Sequence, residues 1–402
     1  MKLKHRLFFI ILIIPVSLFA FDFGLTAGVN TGYGFPGGSE NSFTFRGDLW
    51  PRFSILIGDN IDLNVSAGFA FDYNNTFTFI PELLRTEFSM SFAGSGIRAG
   101  RINYSDPLSF IASGLFDGAQ YYINTSAGRF SAGVLYTGLL YKKTAGITMT
   151  SNDQENYDSP LDYSDFFNTY FAPGRIITAV DWSHPSVFGL LRLNASVLFQ
   201  FDLSSSGFNY HSQYLVLKGA FQADMFLINA GGAVEFSQAV SGNAIFNIAF
   251  AADIGFTWLV PAGFNSALSF NAAIAGGRVS ETAGEFTPIT SVYYGNIFFK
   301  KMSGISVIEL NYSARFIETA SASLSMSYFI RNDLVSVTGY PIAADSSGYF
   351  LGPEIFARFT WMPFSDLQLN VGGGVFLPAL GNAGPGEKPL WRIELNAVIS
   401  VL

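Results

Sequence analysis

Residues 61–73 alternate apolar and polar side chains with a period of two, and this pattern constrains the fold more than any other feature. The odd-numbered positions carry Ile, Leu, Val, Ala, Phe, Phe and Tyr, whereas the even-numbered ones are mostly small or polar. A period of two indicates a β-strand, because successive side chains of a strand point to opposite faces. At about 3.3 Å per residue, the segment is long enough to cross a bilayer as a tilted strand. Similar alternation recurs at residues 191–202, 246–258 and 321–331.

The composition favours a membrane environment for these strands. Of the 402 residues, 49% are hydrophobic and 13% are charged, whereas a soluble domain usually has about 25% charged residues. No apolar run after residue 19 is long enough for a membrane-spanning helix, which needs about 18 residues. Within lipid, only helices and closed barrels satisfy every backbone hydrogen bond. The sequence therefore predicts an all-β fold, a single-chain transmembrane antiparallel β-barrel.

The first twenty residues have the pattern of a signal peptide. Three basic residues precede an apolar stretch at residues 7–19, and Ala20 offers a small side chain for cleavage. A membrane anchor is the weaker alternative, because the stretch is short and contains Pro15. We expect residues 1–20 to be the signal peptide and residues 21–402 to form the barrel. Removing the three basic residues would change the net charge from −8 to −11.

About twenty strand candidates follow one another, and the connections between them sort by length. Short turns on one rim and long loops on the other are typical of an outer-membrane barrel, whose termini both lie on the periplasmic side with the turns. We expect 18–20 strands; Pro341 within residues 334–343 and the short connection at residues 318–320 leave the number open. The short connections are residues 58–60, 94–96, 127–129, 184–189, 223–225, 260–265, 300–304, 331–333 and 363–366, and the longer ones are 35–41, 74–82, 105–117, 143–174, 279–289 and 378–390.

The last strand, residues 391–402, alternates as cleanly as the first ones. We expect it to close the barrel against the first strand. A terminal strand of this kind also looks like the signal that barrel-assembly machinery reads, although Leu402 stands where an aromatic residue is usual.

Residues 97–120 resemble part of the alginate-export-type porins, in which a Gly-Arg strand precedes an Asp-Gly-Ala segment near the pore. The resemblance implies a wide single-chain barrel that passes a sugar or polysaccharide. That family lines its pore with many basic residues, whereas this chain is acidic. The matching positions are Gly100, Arg101, Phe116, Asp117, Gly118 and Ala119.

Charged residues of both signs fall on the polar faces of the strand candidates, so we predict that they line the pore. One interpretation is a transverse field across a constriction that orients passing solutes. The other is an internal salt-bridge network that satisfies buried charges. Both keep these residues away from lipid, where a charge costs about 2–4 kcal/mol at mid-depth. The candidates are Arg85, Glu87, Arg98, Arg192, Asp202, Glu235, Asp253, Glu309, Arg315, Glu354, Arg358, Arg392 and Glu394.

The connection at residues 143–174 is long enough to be a functional loop. It combines acidic residues with several Tyr and Phe residues. Folded into the pore, such a loop would form a constriction that favours cations or stacks on sugar rings. Left outside, it would be a surface loop whose charges only add solubility. The acidic residues are Asp153, Glu155, Asp158, Asp162 and Asp165.

Enzymatic chemistry finds little support in the sequence. A hydrolase needs a His beside a nucleophile or carboxylate, and the mature part has only His184 and His211. His211 has Asp202 and Ser212 nearby in the sequence, but two incidental His residues are the favoured interpretation. The chain shows no metal-ligand cluster, no cofactor motif and no basic patch for nucleic acid. We therefore expect that it is not an enzyme.

The expected function is an outer-membrane porin, a channel for passive passage of small hydrophilic solutes, with sugars and cations as candidates. The alternatives are a fatty-acid-type transporter of hydrophobic compounds and a surface-exposed structural or adhesin barrel. The expected partners are outer-membrane lipid, the barrel-assembly machinery and the solutes; a homo-oligomer is left open. Trp182, Trp258 and Trp361 each precede a short connection, so we expect them to form one aromatic girdle at the periplasmic interface.

Overall fold

The computed structural model describes residues 19–35, 41–74, 76–204, 207–241, 243–260, 264–279, 284–337, 339–343 and 346–401. The predicted signal peptide lies outside the described residues except for its last two, which begin the first strand.

Within the described ranges, eighteen strands form one antiparallel sheet that closes on itself, as the alternation predicted. Closure joins the first and last strands, with Leu25 opposite Val401 and Phe35 opposite Trp391. The barrel strands are β1 (Phe19–Phe35), β2 (Ser42–Ile57), β3 (Ile61–Asn74), β4 (Thr76–Phe92), β5 (Ser95–Ser105), β6 (Ser113–Thr125), β7 (Gly128–Tyr136), β8 (Arg175–Val187), β9 (Leu191–Asp202), β10 (Asn209–Ala223), β11 (Phe226–Ser241), β12 (Asn243–Val260), β13 (Asn265–Ala275), β16 (Ile305–Ile317), β17 (Ala320–Arg331), β18 (Phe350–Phe364), β19 (Leu367–Phe376) and β20 (Leu390–Val401), and a separate two-stranded hairpin consists of β14 (Tyr293–Tyr294) and β15 (Lys300–Lys301).

The outer face of the wall is apolar. On β12, Phe246 is 65% exposed and Phe250 is 54% exposed, values that suit side chains in contact with lipid rather than water. The buried apolar residues lie inside, where loops pack against one another and the wall. Apolar side chains therefore serve two surfaces, an outer one toward lipid and an inner one between loops.

Long connections rise from one rim and then enter the barrel interior. They join β5 to β6, β7 to β8, β13 to β16, β17 to β18 and β19 to β20. The connection between β7 and β8, residues 137–174, contains the short helices α1 (Lys142–Ala145), α2 (Ser151–Asp158) and α3 (Phe166–Tyr170) and a 3₁₀ turn at Tyr163–Asp165; another 3₁₀ turn is Pro378–Leu380. In the described part of the chain, no helix is long and apolar enough to span a membrane.

Several predicted boundaries were wrong. The strand candidate between residues 290 and 299 and the one at residues 334–343 are loop segments, because both pack inside the barrel. Residues 300–304 and 331–333 therefore belong to the long-loop rim, and the short connection at 318–320 is a turn on the opposite rim.

The long connection predicted at residues 74–82 was also wrong, because β4 begins at Thr76 and pairs with β3 from there on. Because two strands were wrongly counted, and not one, the predicted directions of β18, β19 and β20 are unchanged. Trp182, Trp258 and Trp361 lie on β8, β12 and β18, each close to the short turn that ends its strand.

Candidate solute pathway

The inner face of the wall is rich in hydroxyl and amide groups. On β17, every second residue from Ser321 to Ser327 is a serine that points away from the lipid-facing Leu324 and Met326. Near the first and last strands, the Asn370 amide donates to Asn396 Oδ1 at 2.9 Å. Such a surface hydrogen-bonds water and hydrophilic solutes without carrying net charge.

Among the predicted pore-lining residues, the first charged group lies on β4 and β5. Arg85 Nη2 is 2.8 Å from Glu87 Oε2, and Arg98 Nη1 is 3.8 Å from Glu87 Oε1. Glu87 is buried between the two guanidinium groups. The group has a net positive charge with Arg85 partly open to the lumen.

A similar group lies on β18 and β20. Arg358 Nη2 is 2.9 Å from Glu394 Oε1, and Arg392 Nη2 is 3.5 Å from Glu394 Oε2. Again one carboxylate is shared by two guanidinium groups. Asp253 pairs with a residue that the sequence analysis omitted, since Lys218 Nζ lies 2.5 Å from Asp253 Oδ2.

Three further candidates point inward but are covered by loops. Asp202 is ion-paired with Arg175, whose Nη1 lies 2.6 Å from Asp202 Oδ2. Glu235 accepts hydrogen bonds from the Tyr210 hydroxyl and from the Thr287 N–H, both at 2.7 Å. These carboxylates hold loops and strands together and are not open to a passing solute.

Glu354 is the third covered carboxylate. It accepts the backbone N–H groups of residues 296, 297 and 298, at 2.6, 3.0 and 2.8 Å. Its side chain thereby fixes the connection between β13 and β16 against β18. Charge-assisted hydrogen bonds of this kind are worth about 1.5–3 kcal/mol each.

The remaining candidates are more open. Glu309 accepts a hydrogen bond from Ser327 at 3.2 Å. Arg192 and Arg315 are exposed, and neither has an ion-pair partner within 4 Å among the described residues. Arg315 and Arg358 share a cavity of about 260 Å³ with hydroxyl groups of β17 and β18. Two guanidinium groups and several hydroxyls in one recess can bind a hydroxylated anion.

The acidic loop residues separate into one buried anchor and four exposed side chains. Asp153 forms a capping box with Thr150 at the start of α2. It also receives Arg175 Nη2 at 2.5 Å, and Arg175 is completely buried. Asp153 therefore ties the loop to the wall through an arginine shared with Asp202. The exposed ones are Glu155, Asp158, Asp162 and Asp165.

The loops also contact one another inside the barrel. The Phe110 ring lies edge-on to the rings of Phe286 and Tyr294, which come from the connection between β13 and β16. Lys301 Nζ donates to the Thr148 carbonyl at 2.9 Å. Burial lowers the pKa of Lys301, with nearby acidic groups opposing the shift. Three connections therefore meet and narrow the interior.

A larger recess of about 870 Å³ lies beside these contacts. Residues of the loop between β7 and β8, of β10 to β12 and of the connection after β13 line it, including Tyr210, Ser237 and Glu285. The recess borders Tyr210 and Thr287, which donate to Glu235, and lies on the long-loop side of that carboxylate.

The Ser, His and acid set considered from the sequence is not assembled. His211 Nδ1 accepts the Asp202 backbone N–H at 3.1 Å, and the Ser212 hydroxyl donates to Gln200 Oε1 at 2.9 Å. Among the described residues, no group of three His, Asp or Glu side chains could hold a metal ion.

Sequence reasoning missed Arg175, Lys218 and Lys301. Arg175 begins β8 directly after the long loop, so no alternation preceded it. The one indication in the sequence was that Arg175 directly precedes the apolar residues Ile176 and Ile177. An arginine buried in such surroundings is usually paired with an acidic residue.

No family model matches the chain, and no curated protein matches it by sequence. Solved structures of similar shape come from Pseudomonas aeruginosa. OccK5 (OpdH) is 11% identical with a TM-score of 0.60, covering 94% of this chain and 98% of that one. OccK2 (OpdF), solved in complex with glucuronate, is 12% identical with a TM-score of 0.58, covering 95% and 98%. The outer membrane protein OpdK is 10% identical with a TM-score of 0.59, covering 94% and 99%. The chain has the fold of these porin barrels.

Proposed function

We propose that the chain is an outer-membrane channel for small hydrophilic solutes and that it favours hydroxylated anions over cations. The observation that supports the proposal is which charged residues inside the closed barrel are covered or ion-paired and which are exposed without a partner. Asp202, Glu235 and Glu354 are covered by loops, whereas Arg192 and Arg315 are exposed in the lumen without acidic partners among the described residues. Among the predicted pore-lining residues, the exposed charges without an ion-pair partner are therefore basic, although the whole chain is acidic.

The structural likeness supports a channel and is compatible with this preference. OccK2, a protein of the same fold, was solved with glucuronate, which is a hydroxylated anion. The recess that holds Arg315, Arg358 and the hydroxyl groups of β17 has the chemistry to receive such a molecule.

The resemblance to alginate-export porins implies passage of a polysaccharide. In this chain Gly100, Arg101 and Asp117 hold neighbouring strands together, and these contacts account for the motif without a polymer. We therefore propose passive diffusion of small solutes and no enzymatic step. We further propose a cleaved signal peptide at residues 1–20 and insertion by barrel-assembly machinery.

Reversal potentials in planar bilayers test the proposal. The wild-type channel should conduct and select anions over cations under a salt gradient. The Arg192→Gln/Arg315→Gln double variant should move the reversal potential toward cations, because both exposed charges are lost. Lys388→Gln, an exposed change in the connection before β20, is the matched control and should leave selectivity unchanged. A channel that selects cations before and after the double substitution would contradict the proposal.

A further inference from the structure

The wall is split between β4 and β5 on the long-loop side. Their pairing ends where Thr86 lies opposite Arg101. Beyond that pair β5 continues to Ser105, but it is paired only with β6. Gly100 causes the divergence: its φ is +104°, and a Cβ at this position would collide with the Thr86 carbonyl oxygen. Only glycine allows this bend, which carries β5 away from β4.

Side chains take the place of the missing strand along β4. Carbonyl groups of alternate β4 residues point into the split, as they do on the edge of a sheet. One of these residues is Pro81, which has no N–H group that could be left unpaired. Two tyrosine hydroxyls and one guanidinium group donate to these carbonyls. The pairs are Tyr163 with Phe79, Tyr170 with Pro81 at 2.6 Å, and Arg101 with Leu83.

The segment that closes the split, residues 162–171, is aromatic and has two different sides. Its rings stack on one another, with Phe166 and Tyr170 centroids 4.6 Å apart. Phe167 is 79% exposed, whereas Tyr170 is 6% exposed and packs against Ala70 and Ile80 on the inner face of β3 and β4. The segment therefore separates the lumen from the lipid-facing surface by the thickness of its own rings.

The lower end of the split is polar. Arg101 Nε and Nη2 donate to the two Asp117 oxygens at 2.9 and 2.8 Å, and Nη2 also donates to the Leu139 carbonyl at 2.9 Å. Asp117 shares the outward face of β6 with Tyr121, which is 45% exposed. An ion pair on this face is shielded only because the loop covers it.

The split reaches the level of the membrane. Seven residue pairs join β4 and β5 below it. At about 3.3 Å per residue and a tilt of about 40°, these pairs rise roughly 18 Å, which is less than the apolar band of about 25 Å. The base of the split then lies beside the outer leaflet.

We propose that this split is a lateral opening between the lumen and the outer leaflet, closed by residues 162–171, and that it admits amphipathic molecules. The mouth offers aromatic rings for an apolar body and the Arg101–Asp117 pair for a polar head. A hydrophilic solute would not leave through an opening that faces lipid. The opening is therefore a second route, independent of selection along the barrel axis.

Labelling from the membrane tests the lateral route, since the chain has no cysteine of its own. Ala70→Cys places a thiol behind the closing segment, on its lumen side, and Ser237→Cys places one on β11, away from it. N-(1-pyrene)maleimide dissolved in the bilayer of proteoliposomes should label the Ala70→Cys variant faster than the Ser237→Cys variant. Adding Tyr163→Phe/Tyr170→Phe to Ala70→Cys should accelerate its labelling by about tenfold or more, because two hydrogen bonds that keep the segment closed are lost.

Two further variants keep the result interpretable. Tyr104→Phe removes a hydroxyl that donates to Asp181 inside the barrel and should not accelerate labelling. Phe167→Ala removes an exposed ring and no hydrogen bond, and it should modestly accelerate labelling of the Ala70→Cys thiol. This variant tests the proposal even if the double tyrosine variant misfolds. Equal labelling of the thiols at positions 70 and 237 in all backgrounds would overturn the proposal. A parallel rise with a water-soluble sulfonated maleimide would also overturn it, because the segment would then open toward the lumen.

Discussion

Two places in the wall where a strand lacks a regular partner, one along β4 and one along β12, are closed in different ways. Along β4, side chains of a distant loop and of Arg101 satisfy the carbonyls. Along β12, pairing with β13 ends at Ala251, and the backbone N–H groups of Gly276 and Gly284 donate to the carbonyls of Phe250 and Ile248.

The difference lies in what a mutation can remove. Closure by main chain persists whatever side chains the loop carries, because every residue except proline keeps its N–H. Closure by tyrosine and arginine depends on three side chains. The β4 split is therefore the weak place of the wall, and substitutions should affect the two places very differently.

Arg101→Met should have the largest effect. It leaves Asp117 without its ion-pair partner and the Leu83 carbonyl without its donor. Removing one member of a buried pair typically costs about 3–5 kcal/mol, and Asp117 is partly exposed, so we expect about 2–4 kcal/mol. Urea unfolding in detergent micelles measures this change. Arg85→Gln breaks an ion pair whose arginine is 43% exposed and should cost under about 1 kcal/mol; equal losses would refute the role given to Arg101.

Tyr170→Phe should have an intermediate and local effect. The hydroxyl of this buried residue donates to Pro81, and its loss should cost about 1 kcal/mol. Proteolysis of residues 162–171 in intact proteoliposomes should become faster. Tyr163→Phe, at a half-exposed position, should show a smaller increase. If Tyr163→Phe has the larger effect, closure is controlled from the outside rather than from the buried face.

Ile248→Val/Phe250→Leu, the matched change on β12, should be close to neutral. The carbonyls at both positions remain and keep their main-chain donors. Conservative changes on a lipid-facing surface usually stay within about 0.5 kcal/mol. In the Ser237→Cys background, labelling by membrane-dissolved maleimide should not change. Faster labelling would show that main-chain closure is no stronger than side-chain closure.

The tryptophans should not respond to any of these changes. Trp182, Trp258 and Trp361 lie beside the short turns, far from the β4 split and from the unpaired part of β12. Indole rings at this level favour the membrane interface. Lipid-attached quenchers on single-Trp variants should report one common depth, in the wild type and in the Arg101→Met background. Tryptophans at different depths would contradict the assigned strand directions.

The wall was predictable from the sequence because lipid imposes a simple rule on it. Each spanning strand needs apolar residues at every second position, and this rule gave the strands from β1 to β13 in the right order. It failed at residues 290–299 and 334–343, where apolar residues pack against other loops inside the barrel. Ile297 and Phe298 are neighbours in the sequence and both are buried among loops, so a short apolar segment does not by itself indicate a wall strand.

The charged residues and the split were less predictable, because both depend on partners distant in the chain. Alternation placed Glu235 and Glu354 on the inner face, but nothing local indicated that a loop would cover them. Gly100 and Arg101 stood out only as a resemblance to a porin motif. Gly100 bends β5 away from β4, and Arg101 donates hydrogen bonds across the split. Both roles depend on where β4 and residues 137–174 lie in space, which the sequence alone does not show.

The pairing of β1 with β20 has a consequence for the kinetics of assembly. Leu25 and Val401 are neighbours in the finished wall although they lie near opposite ends of the chain. Contacts of such sequence separation form slowly, because loop-closure entropy is lost before they contribute stability. Until β20 arrives, β1 and β19 both present unpaired edges that can recruit strands of other molecules. The slow step in forming this protein is therefore the joining of its first and last strands, and a chain that stalls before it is prone to aggregate.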